Sequence, residues 1–434
     1  MDDDLIDFRE PNPYYSLKDF LIKINFDMTD VKDEDQLGEM IHEYTHYLQS
    51  LTTVNGLSIL TVYLDLIIKI TVDIYVNIGN GIFDSKNTIN KYKDDFHKLA
   101  NRMYWERKPI NMRIKRNKPC YIEKLIFNPI AKTQANEIFF YNMQDELFYH
   151  VSTSVLRENM AMMAYFYSHG IGQDAVMDYV NLKNISCKYW IIFNYFLFNY
   201  PQIKDVIIFT YFFCEFVLMD LMPGIFMSEV LPELDKMLKD NIYNDHEFFF
   251  QLLSDKFQNK IGFGFRTITD VISKMRMKLN VLSFHDFYLS IQKLIDLCER
   301  GIDFREHNGT IFRRILDGRW INYMSKIFLS PLIVQPEKKY SILGDERNYS
   351  DHIILLFGIA NVIQLLINDE NITYCPFYKE IPICKLYKGN EKIEEICISN
   401  PIKIPLFPKG GCIFYNTCLI LGLLPPNEFK KYPL

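Results

Sequence analysis

Apolar and polar residues alternate toward the end of the segment 19–27, and this period of two predicts a β-strand over 20–27. A helical period follows, and it predicts a helix over 36–50. Three acidic residues, 33–35, precede this helix, where the positive end of the helix dipole stabilises negative charge. The polar run 52–56, which ends in glycine, should terminate it. The chain is therefore expected to begin with a strand and a helix.

The next apolar segment predicts a second helix over 57–78. It is about long enough to cross a bilayer, but Asp65, Lys69 and Asp73 recur at every fourth position and so share one face. One charged stripe beside three apolar sides is typical of a buried amphipathic helix. We therefore expect this helix to pack inside the protein.

Long apolar and aromatic runs make the region 152–330 mostly helical in pattern. Its most apolar part, 190–219, is interrupted by the polar segment 201–205. Neither half then reaches the roughly 20 residues that cross a bilayer, and we interpret them as two buried helices. No membrane span is expected.

These patterns predict a predominantly α-helical α+β protein with a small N-terminal sheet, a large helical body and an irregular C-terminal module. The composition fits a globular chain, since 49% of the residues are hydrophobic and 24% are charged. We expect a first unit over 1–240, a helical region over 241–340 and a Cys- and Pro-rich module over 341–434.

Charge and cysteine content narrow the classes of function. The 48 basic and 54 acidic residues give a net charge of −6, so the overall positive charge typical of nucleic-acid-binding proteins is absent. The basic segment 107–118 is interpreted as a solvated loop. The N-terminus, Met1–Asp4, is acidic where a secretory signal is basic, and nine cysteines are too few and too uneven for a disulfide framework. We therefore expect a cytoplasmic protein.

The motif H-E-x-x-H occurs at 42–46, inside the helix predicted over 36–50. Residues i and i+4 share a helix face, so His42 and His46 can bind one zinc ion while Glu43 lies beside them. Zinc lowers the pKa of a bound water toward about 7, and a carboxylate can take that proton and pass it to a leaving amine. The motif therefore predicts zinc-dependent hydrolysis of peptide bonds, with Glu43 as the catalytic acid and base.

The stretch 39–49, which reads E-M-I-H-E-Y-T-H-Y-L-Q, resembles the active-site helix of the zincin metallopeptidases. Residues 49 and 52 are Gln and Thr, so the longer motif of the metzincins is absent and the resemblance is to a gluzincin-like arrangement. It implies a strand before the active-site helix, which the strand over 20–27 would provide. It also implies a third ligand, usually a carboxylate from a later helix.

Glu158 is the candidate that we favour for the third metal ligand. It lies in an apolar helical segment, 155–165, which follows the potential capping residues 152–154. Ala161, one turn later, would allow the active-site helix to approach closely. Tyr165 shares that face and could donate a hydrogen bond to a tetrahedral oxyanion, so we name it as a second catalytic residue.

Other residues could take these roles. Asp65 follows His46 by nineteen positions and could be the third ligand, although Lys69 offers it an ordinary partner on the helix surface. His150 and His169 could donate hydrogen bonds near the metal, but ordinary polar roles are favoured for both.

The last 60 residues contain five of the nine cysteines and eight of the eighteen prolines. The cysteines are Cys375, Cys384, Cys397, Cys412 and Cys418. Thiolates suit zinc or an iron–sulfur cluster, so a second metal site is one interpretation, and buried reduced thiols are the other.

The leading hypothesis is a cytoplasmic zinc metallopeptidase that acts on a protein or peptide substrate, as a regulated effector protease that a protein partner could control. The alternative is a metal-stabilised protein-interaction scaffold without catalysis.

Overall fold

The computed structural model describes residues 14–17, 21–27, 34–80, 85–104, 107–112, 116–128, 131–240, 242–243, 245–280, 285–308, 327–328, 330–336, 339–341, 355, 358–363, 367, 375, 412–421 and 423. From the N-terminal side up to residue 182 the elements are β1 (Tyr14–Ser16), β2 (Leu21–Lys23), α1 (Glu34–Thr52), α2 (Val54–Gly79), α3 (Ser85–Asn90), α4 (Lys93–Tyr104), β3 (Tyr121–Asn128), β4 (Thr133–Asn142), β5 (Leu147–His150), α5 (Thr153–Ser168) and α6 (Gln173–Leu182). After a 3₁₀ turn at Cys187–Tyr189 follow α7 (Ile191–Asn199), α8 (Val206–Val217), α9 (Pro223–Lys239), α10 (His246–Leu279), α11 (His285–Asn308), β6 (Leu332–Gln335), β7 (Lys339–Ser341) and α12 (Ile413–Ile420). The predicted helix-dominated α+β class is confirmed.

The N-terminal strand belongs to a four-stranded sheet with the order β1-β2-β6-β7. Strand β2 pairs antiparallel with β1 and parallel with β6, so that Leu21 lies opposite Leu332. The predicted strand over 20–27 is therefore present but shorter. Half of its sheet comes from residues more than 300 positions later in the chain, a pairing that local patterning does not contain.

A second sheet has three antiparallel strands in the order β3-β4-β5. None of its strands is among the elements that the sequence pattern predicts. The physical reason is that β3 is an edge strand, whose residues are mostly half-buried or exposed, whereas the second half of β4 is buried. Helices α7 and α9 pack against β4 and cover that buried part.

Helices α1 and α2 form a hairpin at the centre of the core. Helix α1 packs against α5, α2 and α11, while α10 packs along α2. The charged residues of α2 form ion pairs at the surface of the helical bundle. Asp65 pairs with Lys69 at 2.6 Å, and Asp73 pairs with Lys91 at 2.8 Å. The amphipathic interpretation of this helix is confirmed.

The apolar segment 190–219 forms two core helices, α7 and α8, as predicted. Among the described residues, no helix is both long enough and apolar enough to cross a membrane. The unit borders near 240 and 340 remain predictions. Most of the proposed C-terminal module, including Cys384 and Cys397, lies outside the described residues.

Candidate metal centre

Helix α1 presents both histidines of the motif on its α5-facing side. No glycine or proline interrupts the motif, and the helix is continuous over Glu34–Thr52, so His42 and His46 are one regular turn apart. Gly38, one turn before His42, permits close contact with α5, because a Cβ atom there would lie 2.6 Å from the ring of Tyr165. A small residue on α1 therefore sets the distance between the two helices, and the buried Ala161 of α5 does not obstruct it.

Helix α5 begins where the sequence placed its cap. The hydroxyl of Ser152 accepts a hydrogen bond from the backbone N–H of Val155 at 3.3 Å, which satisfies one of the unpaired donors of the first turn. Glu158 follows on the side that faces α1. The cap and the helical period together fix the position of this carboxylate along the helix.

His42, His46 and Glu158 converge as predicted. The two Nε2 atoms are 3.2 Å apart, and the Glu158 carboxylate lies 3.2 Å from His46 Nε2 and 3.3 Å from His42 Nε2. A triangle with these edges is one face of a tetrahedron whose centre is about 2.0 Å from each corner, the usual length of zinc–nitrogen and zinc–oxygen bonds. Of the residues that the structure describes, only these three form a group that could hold a metal ion.

The hydrogen bonds of Gln49 define which nitrogen of His46 faces this triangle. The Gln49 amide nitrogen donates to the carbonyl of Arg157 at 2.9 Å, and its oxygen accepts from Arg157 Nε at 3.1 Å. Since Arg157 Nε can only donate and the carbonyl can only accept, the orientation of the amide is determined. The Gln49 oxygen must then accept the bond from His46 Nδ1 at 3.0 Å.

In its neutral form, a His46 that carries its proton on Nδ1 has a lone pair on Nε2, directed at the carboxylate of Glu158 and at His42. Glu158 also offers only lone pairs when it is ionised. Acceptor atoms that converge within hydrogen-bonding distance repel one another unless a cation lies between them. The donor chemistry and the geometry therefore both fit a bound divalent metal.

Arg157 also braces the site. Its guanidinium donates to the backbone carbonyl of His46 at 3.3 Å and to the hydroxyl of Ser50 at 2.9 Å, in addition to its bond with Gln49. The residue next to Glu158 in sequence thus links α5 to the last two turns of α1. Partners of this kind orient metal ligands and raise their affinity.

The carboxyl groups of Glu43 and Glu158 have displaced pKa values. Burial raises the pKa of Glu43 to about 7; the charge of His42 opposes this effect and that of Glu158 adds to it. The backbone of Tyr15 in β1 donates a hydrogen bond to the Glu43 carboxylate. Burial also disfavours the charged form of Glu158, but His46 and His42 in their protonated forms outweigh this effect and hold the pKa of Glu158 well below its ordinary value.

The triangle is partly exposed. The side chains of His42, His46 and Glu158 expose 12, 11 and 22% of their surface. A cavity of about 80 Å³ borders His46 and Glu158, and its other lining residues include Tyr15 and Met103. It has room for more than one water molecule beside His46 and Glu158.

Tyr165 of α5 lies beside the N-terminal end of α1, away from the two histidines. Its hydroxyl lies 2.9 Å from the carboxylate of Asp35 and 2.5 Å from the hydroxyl of Tyr179. Asp35 precedes His42 by seven residues, which is about 10 Å along a helix. His169 belongs to the same cluster, since its ring stacks on Tyr165 at 5.4 Å and its Nε2 lies 3.3 Å from Asp35. A catalytic role for Tyr165 stays a prediction.

The other candidates lie elsewhere. Asp65, the alternative third ligand, is held by Lys69 and by Lys278, whose Nζ lies 2.5 Å away, and it is not part of the triangle. His150 forms a buried pair with Glu137 at 2.8 Å. The favoured interpretation of both residues as ordinary polar groups agrees with these contacts.

The cysteine hypothesis is only partly within the described region. Cys375 and Cys418 are buried, and Cys412 is half-buried. Cys384 and Cys397 lie outside the described residues, and none of the cysteines that are described belongs to a potential metal-binding group. A four-cysteine site therefore has no support from these residues.

Sequence reasoning missed three residues of the site. Gln49 and Arg157 were overlooked because hydrogen-bonding partners have no fixed motif, although each lies within three positions of a ligand. Tyr189, in the 3₁₀ turn, places its ring 6.1 Å from the ring of His42 and carries no recognisable signal in the sequence.

The chain matches no protein-family model, no curated protein and no solved structure. The resemblance to the zincins is therefore supported by the H-E-x-x-H motif and its nearby carboxylate alone. The site can be described as a largely buried His-His-Glu group that could hold a metal ion.

Proposed function

We propose that this chain is a zinc-dependent metallopeptidase that hydrolyses peptide bonds of a protein substrate. The observation that carries the proposal is the convergence of three metal-ligand atoms from His42, His46 and Glu158 within 3.3 Å of one another. Glu43, the residue between the two histidines in the motif, has a charge that interacts with both His42 and Glu158. Zinc-dependent hydrolysis requires a set of metal ligands and a separate carboxylate that can act as a general base.

Each residue has a defined task in this proposal. His42, His46 and Glu158 hold the zinc, which when bound would supply a Lewis acid for a water molecule and a substrate carbonyl. Glu43 orients the attacking water, accepts its proton and delivers that proton to the leaving amine. The backbone of Tyr15 holds the Glu43 carboxylate in place through its hydrogen bond.

Stabilisation of the oxyanion needs a further donor. Tyr165 could act only if its hydroxyl turned away from Asp35 and Tyr179, to which it is bonded. Tyr189 already lies beside His42 and is the other candidate. Control of the peptidase by a partner protein is part of the proposal, because unrestricted proteolysis would damage the cell that makes it.

The test of catalysis is the substitution Glu43→Gln. Zinc should stay near one ion per chain, while cleavage of a proteome-derived peptide library, measured by mass spectrometry of new termini, should fall by roughly 10²–10⁴-fold. Glu39→Gln is the matched control, because Glu39 lies one turn earlier on α1 and also influences the charge of Glu43. Undiminished cleavage by the Glu43 variant would refute the proposal.

The test of the ligand set compares Glu158→Gln with Asp65→Asn. Loss of the Glu158 carboxylate should weaken zinc binding by more than the roughly 100-fold that outer partners can contribute. Loss of the Asp65 charge should leave the affinity unchanged, since this residue pairs with lysines on the bundle surface.

The scaffold alternative predicts a different combination of results. The group joins α1 to α5, so a bound metal would cross-link two core helices. One zinc per chain, a large loss of stability on chelation and no cleavage of any library peptide would favour the scaffold over the peptidase.

A further inference from the structure

A second cavity lies between α8, α10 and the end of α11. Its volume is about 610 Å³, within the range of roughly 300–1,000 Å³ that is typical of small-molecule sites. The residues that line it include neither the metal ligands nor Gln49 and Arg157. Any ligand of this cavity would therefore be separate from the metal centre.

Aromatic rings form much of its wall. Phe212 and Phe250 lie nearly parallel, with 5.7 Å between their centroids, and Phe216 lies 6.1 Å from Phe250. Phe265 lines the same cavity from a later turn of α10. Such walls suit an apolar ligand, and the faces of aromatic rings also attract organic cations.

The charged groups of the lining favour a cation. Its described residues contribute four carboxylates and one guanidinium, namely Glu215, Glu247, Asp255, Glu306 and Arg305. The guanidinium is already engaged, because Arg305 pairs with the buried Glu215 at 2.5 Å and donates to the carbonyl of Thr52 at 2.5 Å. With four carboxylates against one guanidinium, the described lining has a formal excess of three negative charges, which favours a positively charged ligand.

One position on α10 borders the open space of the cavity. Gly262 lines it, and a Cβ atom built there meets no heavy atom within 4 Å. Glycine inside a helix lowers its stability compared with alanine. The side chain that would stabilise α10 at this position would extend into unfilled space.

We propose that this cavity binds a small organic cation with an aromatic or branched aliphatic body. The body lies against the phenylalanine rings, and the positive charge lies toward Glu247, Asp255 and Glu306. An anionic ligand is disfavoured because Arg305 is committed to Glu215 and Thr52. The site is independent of the proposed peptidase activity.

Isothermal titration of the full chain with benzyltrimethylammonium tests this proposal. Its quaternary nitrogen has no lone pair and cannot ligate a metal, so binding at the metal centre is avoided. Benzyl alcohol, a neutral probe with the same ring, should bind at least about tenfold more weakly, since one desolvated cation–π contact is worth that ratio. Saturable binding at one site per chain is expected.

Variants at Gly262 locate the ligand. Gly262→Phe should occupy part of the cavity and weaken binding of benzyltrimethylammonium at least tenfold, whereas Gly262→Ala, the matched control, should bind as the wild type does. The exposed pair Glu247→Gln and Asp255→Asn gives a second test that does not alter the core, and it should weaken binding of the cation but not of the alcohol. Absence of saturable binding, equal affinity for the two probes, or wild-type affinity in Gly262→Phe would overturn the proposal.

Discussion

Replacing Gln49 with methionine should weaken zinc binding although Gln49 is not a ligand. Methionine keeps the length and volume of the side chain, so packing between α1 and α5 is disturbed little. The substitution removes the oxygen that accepts the His46 Nδ1 proton at 3.0 Å, and with it both bonds to Arg157. His46 is then free to carry its proton on Nε2, where the metal should bind.

The size of the effect follows from these lost contacts. One buried hydrogen bond to His46 is worth about 1 kcal/mol, and partners left unpaired add about 1–3 kcal/mol to the loss of stability. Outer partners of metal-bound histidines typically contribute about 10–100-fold in affinity, or about 1.4–2.8 kcal/mol. We therefore expect zinc affinity to fall by that factor and the free energy of unfolding to fall by about 2–4 kcal/mol.

Competition with a chelator of known zinc affinity, at constant pH, measures the change in binding. Thr45→Val is the matched control, because Thr45 is buried on the same helix and its hydroxyl donates only to the carbonyl of Ile41 at 2.7 Å. It should lose stability but keep its zinc affinity within about twofold, since no ligand is reoriented. If Gln49→Met also binds zinc as tightly as the wild type, the orienting role of Gln49 is refuted.

Two further predictions concern the fold. Gly38→Ala should lower the free energy of unfolding by about 1–3 kcal/mol, because the added Cβ would lie 2.6 Å from the ring of Tyr165. Gly262→Ala should raise the free energy of unfolding by up to about 1 kcal/mol, because alanine favours the helix and its Cβ meets no atom within 4 Å. Equal denaturation midpoints of the two variants would contradict this prediction. Burial lowers the pKa of His246, partly opposed by two nearby aspartates, so the unfolded chain binds more protons and stability should fall as pH drops below about 6.5, by at most about 1.4 kcal/mol per pH unit. His246→Phe, which can keep the stacking on Phe212, should show less of this decline in pH-dependent unfolding experiments, and an unchanged slope would exclude His246 as its source.

Local sequence patterns were sufficient for the elements that carry the candidate ligands. The helical period and the acidic first turn located α1, and the observed helix extends two residues beyond the predicted range at each end. The capping residues before Glu158 located the start of α5. These signals are readable because helix formation depends on contacts between residues three or four positions apart.

Other features could not be predicted from the sequence, because their local patterns are weak or their partners lie far away in the chain. Strand β3 lies at a sheet edge, so its side chains need not alternate strictly between apolar and polar. Strand β6 pairs with β2 although the two are more than 300 residues apart in the chain. Gln49 and Arg157 meet across 108 positions through hydrogen bonds that many polar pairs could make. No spacing rule describes such pairs.

The sequence by itself determined that His42 and His46 share one face of a helix and that Glu43 lies between them, since both facts follow from 3.6 residues per turn. It also limited the third ligand to a few carboxylates. Only the tertiary structure showed that Glu158, and not Asp65, lies with His42 and His46, because α2 and α5 both pack against α1 and of these two carboxylates only the one on α5 reaches the histidines. Close contact at Gly38 brings α5 against α1, and Glu158 lies beside His46 across 112 positions of chain.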